Sequence, residues 1–283
     1  MQNFAILTAA AGVSDAQVSQ VLSELVQPGD PVRLAASAVE IACASLGSAV
    51  APQGCDLNLV PAQGRRKKML IADMDSTMIP VECIDELADF AGVKDRVADI
   101  TERAMRGELD FEAALRERVG LVAGLPRSAL DECYTQRISL NPGARTLVRT
   151  MAHLGAQTAL VSGGFTYFTA RVAQAAGFAV NRANTLLFDE DRLTGKVSDP
   201  ILGRQAKLDS LCELAQAGGF DAGDVIAVGD GANDLAMVEA AGLGVAYKAK
   251  QALRIGADAV LDHSDLTALL ALQGIPQEEW VQD

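Results

Sequence analysis

Two carboxylates stand two residues apart in Asp73-Met74-Asp75-Ser76-Thr77, directly after the apolar run Met69-Leu70-Ile71-Ala72. Such a run reads as a buried strand, along which successive side chains alternate between faces. Past the strand end the chain can turn, and both carboxylates can then reach one pocket. Open parallel α/β sheets bind ligands at the carboxyl ends of their strands. There one carboxylate can act as a nucleophile and the other as an acid and base.

Three further clusters follow. Val161-Ser162-Gly163-Gly164-Phe165 ends a second apolar strand candidate, 158–161. A hydroxyl and two glycines at a strand-to-helix turn offer backbone N–H groups to an anion; a plain tight turn reads equally well. Lys207 lies on the helix-like stretch 204–214, where a lone lysine is ordinarily a solvated charge. Gly229-Asp230-Gly231-Ala232-Asn233-Asp234 follows a third strand candidate, 225–228. Asp230 can bring a carboxylate beside Asp73 and Asp75, and a hard cation such as Mg²⁺ wants such oxygens together with phosphate. Read as a calcium loop, this run lacks the EF-hand spacing and the distal Glu. Each cluster is weak alone. Together they set carboxylates, a hydroxyl with free amides, a lysine and a cation ligand on three strand ends.

The elements that must position these groups alternate as strands and helices from Lys68 onward, with a fourth strand candidate at 244–246. That pattern predicts a parallel sheet covered by helices on both faces. The stretch 81–140 carries Ile84, Leu87, Phe90 and Ala91, then Leu109, Phe111, Leu115 and Val119, at helical spacing. It is too long for one crossover and predicts a helical cap over the strand ends. Asn141-Pro142-Gly143 returns the chain to the core.

Residues 1–65 read as a separate small α/β domain, and 66–283 as the domain that carries the chemistry. In the first, Phe4-Ala5-Ile6-Leu7-Thr8 predicts a strand. Ser14 predicts the N-cap of a helix that buries Val18, Val21, Leu22 and Leu25. Pro28-Gly29-Asp30-Pro31 is a turn, and 32–41 reads as a second strand. Arg65-Arg66-Lys67-Lys68 reads as a solvated linker.

Composition narrows the function classes. The chain of 283 residues carries a net charge of −13, which argues against nucleic acid as a partner. It does not exclude an anionic substrate, since a bound cation and a few basic residues can reverse the local field. No apolar run is long enough to cross a bilayer, and no positive region precedes the apolar start, so no membrane and no signal peptide are expected. Cys43, Cys55, Cys83, Cys133 and Cys212 are odd in number, scattered and free of C-x-x-C pairs, which suits a reducing cytoplasm. Cys83, close to the Asp motif, reads as a packed small apolar residue. A homodimer is left open.

With these residues in view, the chain resembles phosphatases of the haloacid dehalogenase (HAD) superfamily. The D-x-D-x-T, Ser/Thr, Lys and G-D-x-x-x-D motifs appear as Asp73 to Thr77, Ser162, Lys207 and Gly229 to Asp234. Within the superfamily it is similar to the phosphoserine phosphatases. Glu82-Cys83-Ile84-Asp85-Glu86, Met105-Arg106-Gly107-Glu108-Leu109-Asp110-Phe111 and Leu115-Arg116-Glu117-Arg118-Val119 carry that likeness. The resemblance implies a Rossmann-like parallel core with a helical cap, preceded by an ACT-like segment that is short for a full ACT fold. It implies Asp73 as nucleophile and Asp75 as general acid and base. Mg²⁺ would be held by Asp73, the Asp75 carbonyl and Asp230, with support from Asp234. Ser162, Gly163 and Lys207 would hold the phosphoryl group, and Asn233 would contact it or orient Lys207. Glu82 would take the ammonium and Arg118 the carboxylate of O-phospho-L-serine. Without the resemblance, Glu82 reads as a surface helix charge and Arg118 as an i,i+4 ion-pair partner. A dehalogenase needs neither the second Asp nor a metal. A phosphatase or phosphotransferase for another phosphorylated amino acid, such as phosphohomoserine, is the alternative. A non-enzymatic amino-acid-binding module resting on residues 1–65 is the weakest.

Overall fold

The computed structural model describes residues 3–105 and 108–282. The chain begins with β1 (Asn3–Thr8), α1 (Asp15–Leu22), β2 (Pro31–Ala35), β3 (Ala38–Cys43) and β4 (Asp56–Pro61). The four strands form an antiparallel sheet in the order β2-β3-β1-β4. Ser14 caps α1 through a capping box: its Oγ accepts from the Gln17 amide at 3.3 Å, and Gln17 Oε1 accepts from the Ser14 amide at 2.9 Å. The stretch 32–41, expected as one strand, is the β2–β3 hairpin turning at Ala36-Ser37. Small apolar residues run through the turn, so the apolar pattern hides it. The sequence reading also missed β4, whose inward Asp56 and Asn58 break the apolar alternation.

The second sheet holds β5 (Met69–Ala72), β6 (Gln157–Phe165), β7 (Val180–Asn184), β10 (Val225–Gly229), β11 (Leu243–Tyr247) and β12 (Ala259–Leu261). All six are parallel, in the order β12-β11-β10-β5-β6-β7. Every residue of β5 and β10 is buried, as expected for central strands covered on both faces. The helices of this region are α6 (Ala144–His153), α7 (Thr166–Ala176), α8 (Arg204–Gly218), α9 (Leu235–Ala240), α10 (Gln251–Arg254) and α11 (Ala268–Leu272). Among the described residues no helix is long and apolar enough to cross a membrane.

Between β5 and α6 stand α2 (Cys83–Phe90), α3 (Lys94–Met105), α4 (Phe111–Leu121) and α5 (Arg127–Arg137). Asp110 caps α4 by accepting from the Ala113 amide at 2.7 Å. Cys83, Ile84, Leu87, Leu115, Val119, Leu130 and Cys133 join the main core. Arg106 and Gly107, part of the stretch that carries the family likeness, lie outside the described residues. A hairpin that sequence reading missed, β8 (Leu186–Asp189) and β9 (Arg192–Val197), braces this cap. The Gly124 amide donates to the Leu193 carbonyl at 2.7 Å, and the Arg127 amide to the Asp191 carbonyl at 2.9 Å.

The basic stretch is anchored at Arg65, while Arg66 and Lys68 stay exposed as expected of a solvated linker. Arg65 pairs with Glu40 at 2.9 Å with both side chains largely buried, and its guanidinium lies over the Phe4 ring. It also donates to the carbonyls of Ala271 and Leu272 at the end of α11. Arg66 pairs with Glu279 and Lys68 with Asp224.

Candidate active site

After β5 the chain makes one wide turn, Met74–Met78, that sets the two carboxylates apart. Asp73 Oδ1 accepts from the Met74 amide at 2.7 Å and meets Lys207 Nζ at 2.8 Å. Asp75 Oδ1 accepts from the amide of Cys83, the first residue of α2, at 3.0 Å; its Oδ2 accepts from Ser162 Oγ at 3.4 Å. Directly after Asp75, Ser76 takes a left-handed φ of 56°, a strained backbone for a residue with a side chain. Its hydroxyl donates to Glu82 Oε1 at 2.7 Å, so the turn also places Glu82.

Lys207 lies on the buried stripe of α8 with Ser210, Leu211 and Ala215 and is 1 % exposed, not a solvated charge. It donates to Asp234 Oδ1 at 2.6 Å. Asp234 Oδ2 accepts from the amides of Asp230 and Gly231 at 3.2 and 3.1 Å. The loop after β10 therefore folds around Asp234. A Cβ on Gly229 would lie 2.4 Å from that carboxylate, so only glycine lets the strand end approach it. Asp234, not Asn233, orients Lys207 through a hydrogen bond; Asn233 lines the cleft instead.

One carboxylate oxygen each of Asp73, Asp230 and Asp234 lie within 4.8 Å of one another, all buried. Asp75 is not in that group. Burial, then the Asp234 charge, holds the Asp73 carboxyl well above the usual range despite Lys207. The same two causes push Asp230 up to about 6. Burial, then Glu82, raises Asp75 to about 7. Burial pulls Lys207 down, but Asp234 and Asp73 outweigh it and keep the ammonium charged. Three buried carboxylates against one lysine leave negative charge uncompensated, and an all-oxygen donor set suits a hard divalent cation. The residues present therefore fit such an ion.

A cleft of about 290 Å³ joins this floor to the cap. Asp73, Asp75, Ser162, Gly163, Asp230 and Asn233 line its deep end, and Glu82, Asp85, Phe111 and Arg118 its cap end. Arg118 is part-buried, and burial lowers its pKa against the pull of Asp85 and Glu82. A larger cavity of about 410 Å³ lies at the cap hinge beside Ile79, Tyr134 and Arg145, but it holds no comparable set of carboxylates. Chemistry, not volume, selects the smaller one.

Each predicted site residue thus lies in the cleft or directly beneath it. Sequence reading missed Asp85, Lys250 and Asn184. Asn184 Nδ2 donates to the carbonyls of Gly163 and Leu202 at 2.8 and 3.2 Å, tying the end of β6 to the approach to α8. Lys250 follows β11, another strand of the same carboxyl edge, and that position was the available signal. Asp85 lies one helical turn beyond Glu82.

Residues 70–239 match the haloacid dehalogenase-like hydrolase family. The chain is 43 % identical over 227 residues to a phosphoserine phosphatase of Archaeoglobus fulgidus, covering 80 % of this chain and 66 % of that one. It is 40 % identical over 270 residues to one of Streptomyces coelicolor, covering 94 % and 66 %. The chain therefore spans just under two thirds of the length of these curated relatives. A crystal structure of a HAD family hydrolase from Salmonella enterica serovar Typhi superposes with a TM-score of 0.85 at 28 % identity, covering 96 % of this chain and 98 % of that one.

Proposed function

The chain belongs to the haloacid dehalogenase-like hydrolases, and on that premise we propose that it is a cytoplasmic phosphoserine phosphatase, splitting O-phospho-L-serine into L-serine and phosphate as the last step of serine biosynthesis. The observation that carries this reading is a cleft with two unlike ends. The deep end gathers carboxylates, Ser162 and Lys207, which suit a phosphoryl group and a cation. The cap end sets Arg118 among Glu82 and Asp85, which suits a zwitterion. Residues 66–283 are read as the catalytic domain with its cap at 81–140, and 1–65 as the N-terminal domain.

Lys207 and the Met74 amide occupy Asp73 Oδ1, which leaves Oδ2 to attack phosphorus. The phosphorus–oxygen bond to serine breaks as Asp75 gives its proton to the leaving oxygen. Asp75, now a carboxylate, takes a proton from the water that attacks the aspartyl-phosphate, which restores Asp73. Lys207 stays charged throughout and stabilises phosphoryl oxygens, with the Ser162 hydroxyl and the Gly163 amide beside it. Asp73, Asp230 and the Asp75 carbonyl would hold Mg²⁺, with Asp234 bracing the loop, and the ion would supply charge neutralisation between carboxylate and phosphate. At the cap end Arg118 offers a planar fork to the substrate carboxylate, and Glu82 takes the ammonium.

Phosphate release from O-phospho-L-serine is the test, with Mg²⁺, with EDTA, and with Asp73→Asn. Metal-dependent release lost in the variant is expected. Release from other phosphates but not from phosphoserine sinks the substrate assignment. Arg118→Lys should cost turnover of phosphoserine far more than that of an aryl phosphate, and equal losses overturn its role.

A further inference from the structure

We infer that Lys250 is a positioning residue: its exposed ammonium guards the cation position at Asp230 and draws the phosphate dianion into the cleft. The inference rests on the phosphatase reading above. The backbone holds the two loops together, since the Lys250 amide donates to the Asp230 carbonyl at 2.8 Å. The side chain is free of that constraint. It lines the cleft, with Nζ 3.8 Å from Asp230 Oδ2 and the side chain 65 % exposed. Lys207 is locked beneath the floor between Asp73 and Asp234, and Arg118 belongs to the cap end. Among the described residues Lys250 is thus the exposed cation on the cleft lining.

That position matters because the chain carries a net charge of −13. Asp73, Asp75, Glu82, Asp85 and Asp230 all line the cleft as well. A phosphate dianion approaching this surface meets repulsion, and one exposed ammonium on the cleft lining lowers that barrier without entering the chemistry. The same ammonium repels a divalent cation arriving at Asp230. Its removal should therefore act with opposite signs on the two partners, which damage to the fold cannot imitate.

The test compares Lys250→Ala, Lys250→Arg and Lys248→Gln in the full chain. Lys248 lies on the same loop with its ammonium over the Tyr247 ring and does not line the cleft, so it controls for a lost charge alone. Calorimetric titrations with Mg²⁺, and with orthophosphate in the presence of Mg²⁺, give the binding readouts. A unit charge about 4 Å away in water supports effects of roughly three- to tenfold. Lys250→Ala should bind Mg²⁺ more tightly and orthophosphate more weakly by such factors. Its kcat/KM should fall similarly at low salt and recover at high salt, with kcat nearly constant. Lys250→Arg and Lys248→Gln should resemble the unaltered protein. Weakening of both ligands by Lys250→Ala, or equal shifts in Lys248→Gln, overturns the inference. Opposite shifts in an enzyme that leaves phosphoserine intact would uphold the role of Lys250 and overturn the substrate instead.

Discussion

Asp73 and Asp75 share a residue type and a turn, yet the proposed mechanism gives them opposite tasks. Lys207 pairs with Asp73 and opposes, without outweighing, the burial and the Asp234 charge that hold its carboxyl above the usual range, so a cation bound beside it would complete its ionisation. Asp75 faces Glu82 and burial, which raise it to about 7 and keep a proton on it near neutrality. The acid form is populated below that pH and lost above it, so turnover limited by leaving-group protonation falls on the alkaline side. Removing the Glu82 charge lowers the Asp75 pKa. Glu82→Gln should therefore move the alkaline limb to lower pH, measured on an aryl phosphate that does not need Glu82 for binding. A limb that stays in place or moves upward counts against Asp75 as the acid. Asp75→Asn should cost about 10²- to 10⁴-fold in kcat.

At the scale of elements, the site depends on how closely strand ends approach one another. The end of β6 passes so near the β5 turn that a Cβ on Gly164 would lie 2.6 Å from Asp75 Oδ2 and 3.0 Å from Ser162 Oγ. Gly164 has an ordinary φ, so alanine there strains no backbone and instead pushes the carboxylate aside. Gly164→Ala should lower kcat by about 10²-fold, as small misplacements do, while the melting temperature changes little. Full activity would mean that Asp75 need not stand where it does. The cap hinge is tied to the same turn. Asn141 Nδ2 donates to the Thr77 carbonyl at 2.7 Å, and its amide to the Met78 carbonyl at 2.8 Å. The chain leaving the cap is thus bonded to the chain entering it, directly beside the catalytic turn.

For the whole molecule, the N-terminal sheet is bonded into the core through β4. Asp56 accepts from the amides of Asp262, His263 and Ser264 and from the Ser264 hydroxyl, and is buried. Asn58 exchanges two hydrogen bonds with the backbone of Val260. Asp56→Ala leaves buried donors unpaired and should cost about 3 kcal/mol or more in chemical unfolding. A loss near zero would mean that the two sheets separate freely. Metal and pH are linked at the same scale. Asp73, Asp75 and Asp230 have folded pKa values above the ordinary carboxylate range. The folded metal-free protein then holds protons that the unfolded chain releases, so its stability falls as pH rises toward those values. A divalent cation replaces the protons. The Mg²⁺-dependent gain in melting temperature should be larger at about pH 8 than at about pH 6; equal gains would remove the carboxylate cluster as the metal's seat.

The sequence by itself determined the motifs on which the proposed chemistry rests, because they are short runs at the ends of apolar strands. Met69 to Ala72 and the strand before Asp230 are buried on both faces and read as continuous apolar segments. The residues following them are local enough to recognise. Tertiary structure decided what depends on distant partners. Lys207 is buried because Asp73 and Asp234 neutralise it, and Asp56 is buried because three amides from residues over 200 positions away receive it. Lys250 reaches the site because β11 lies beside β10, an adjacency that no local pattern records. A polar side chain's burial is set by its partner. Partners across a sheet carry no fixed spacing in the chain, so periodicity sees the strands and misses what joins them.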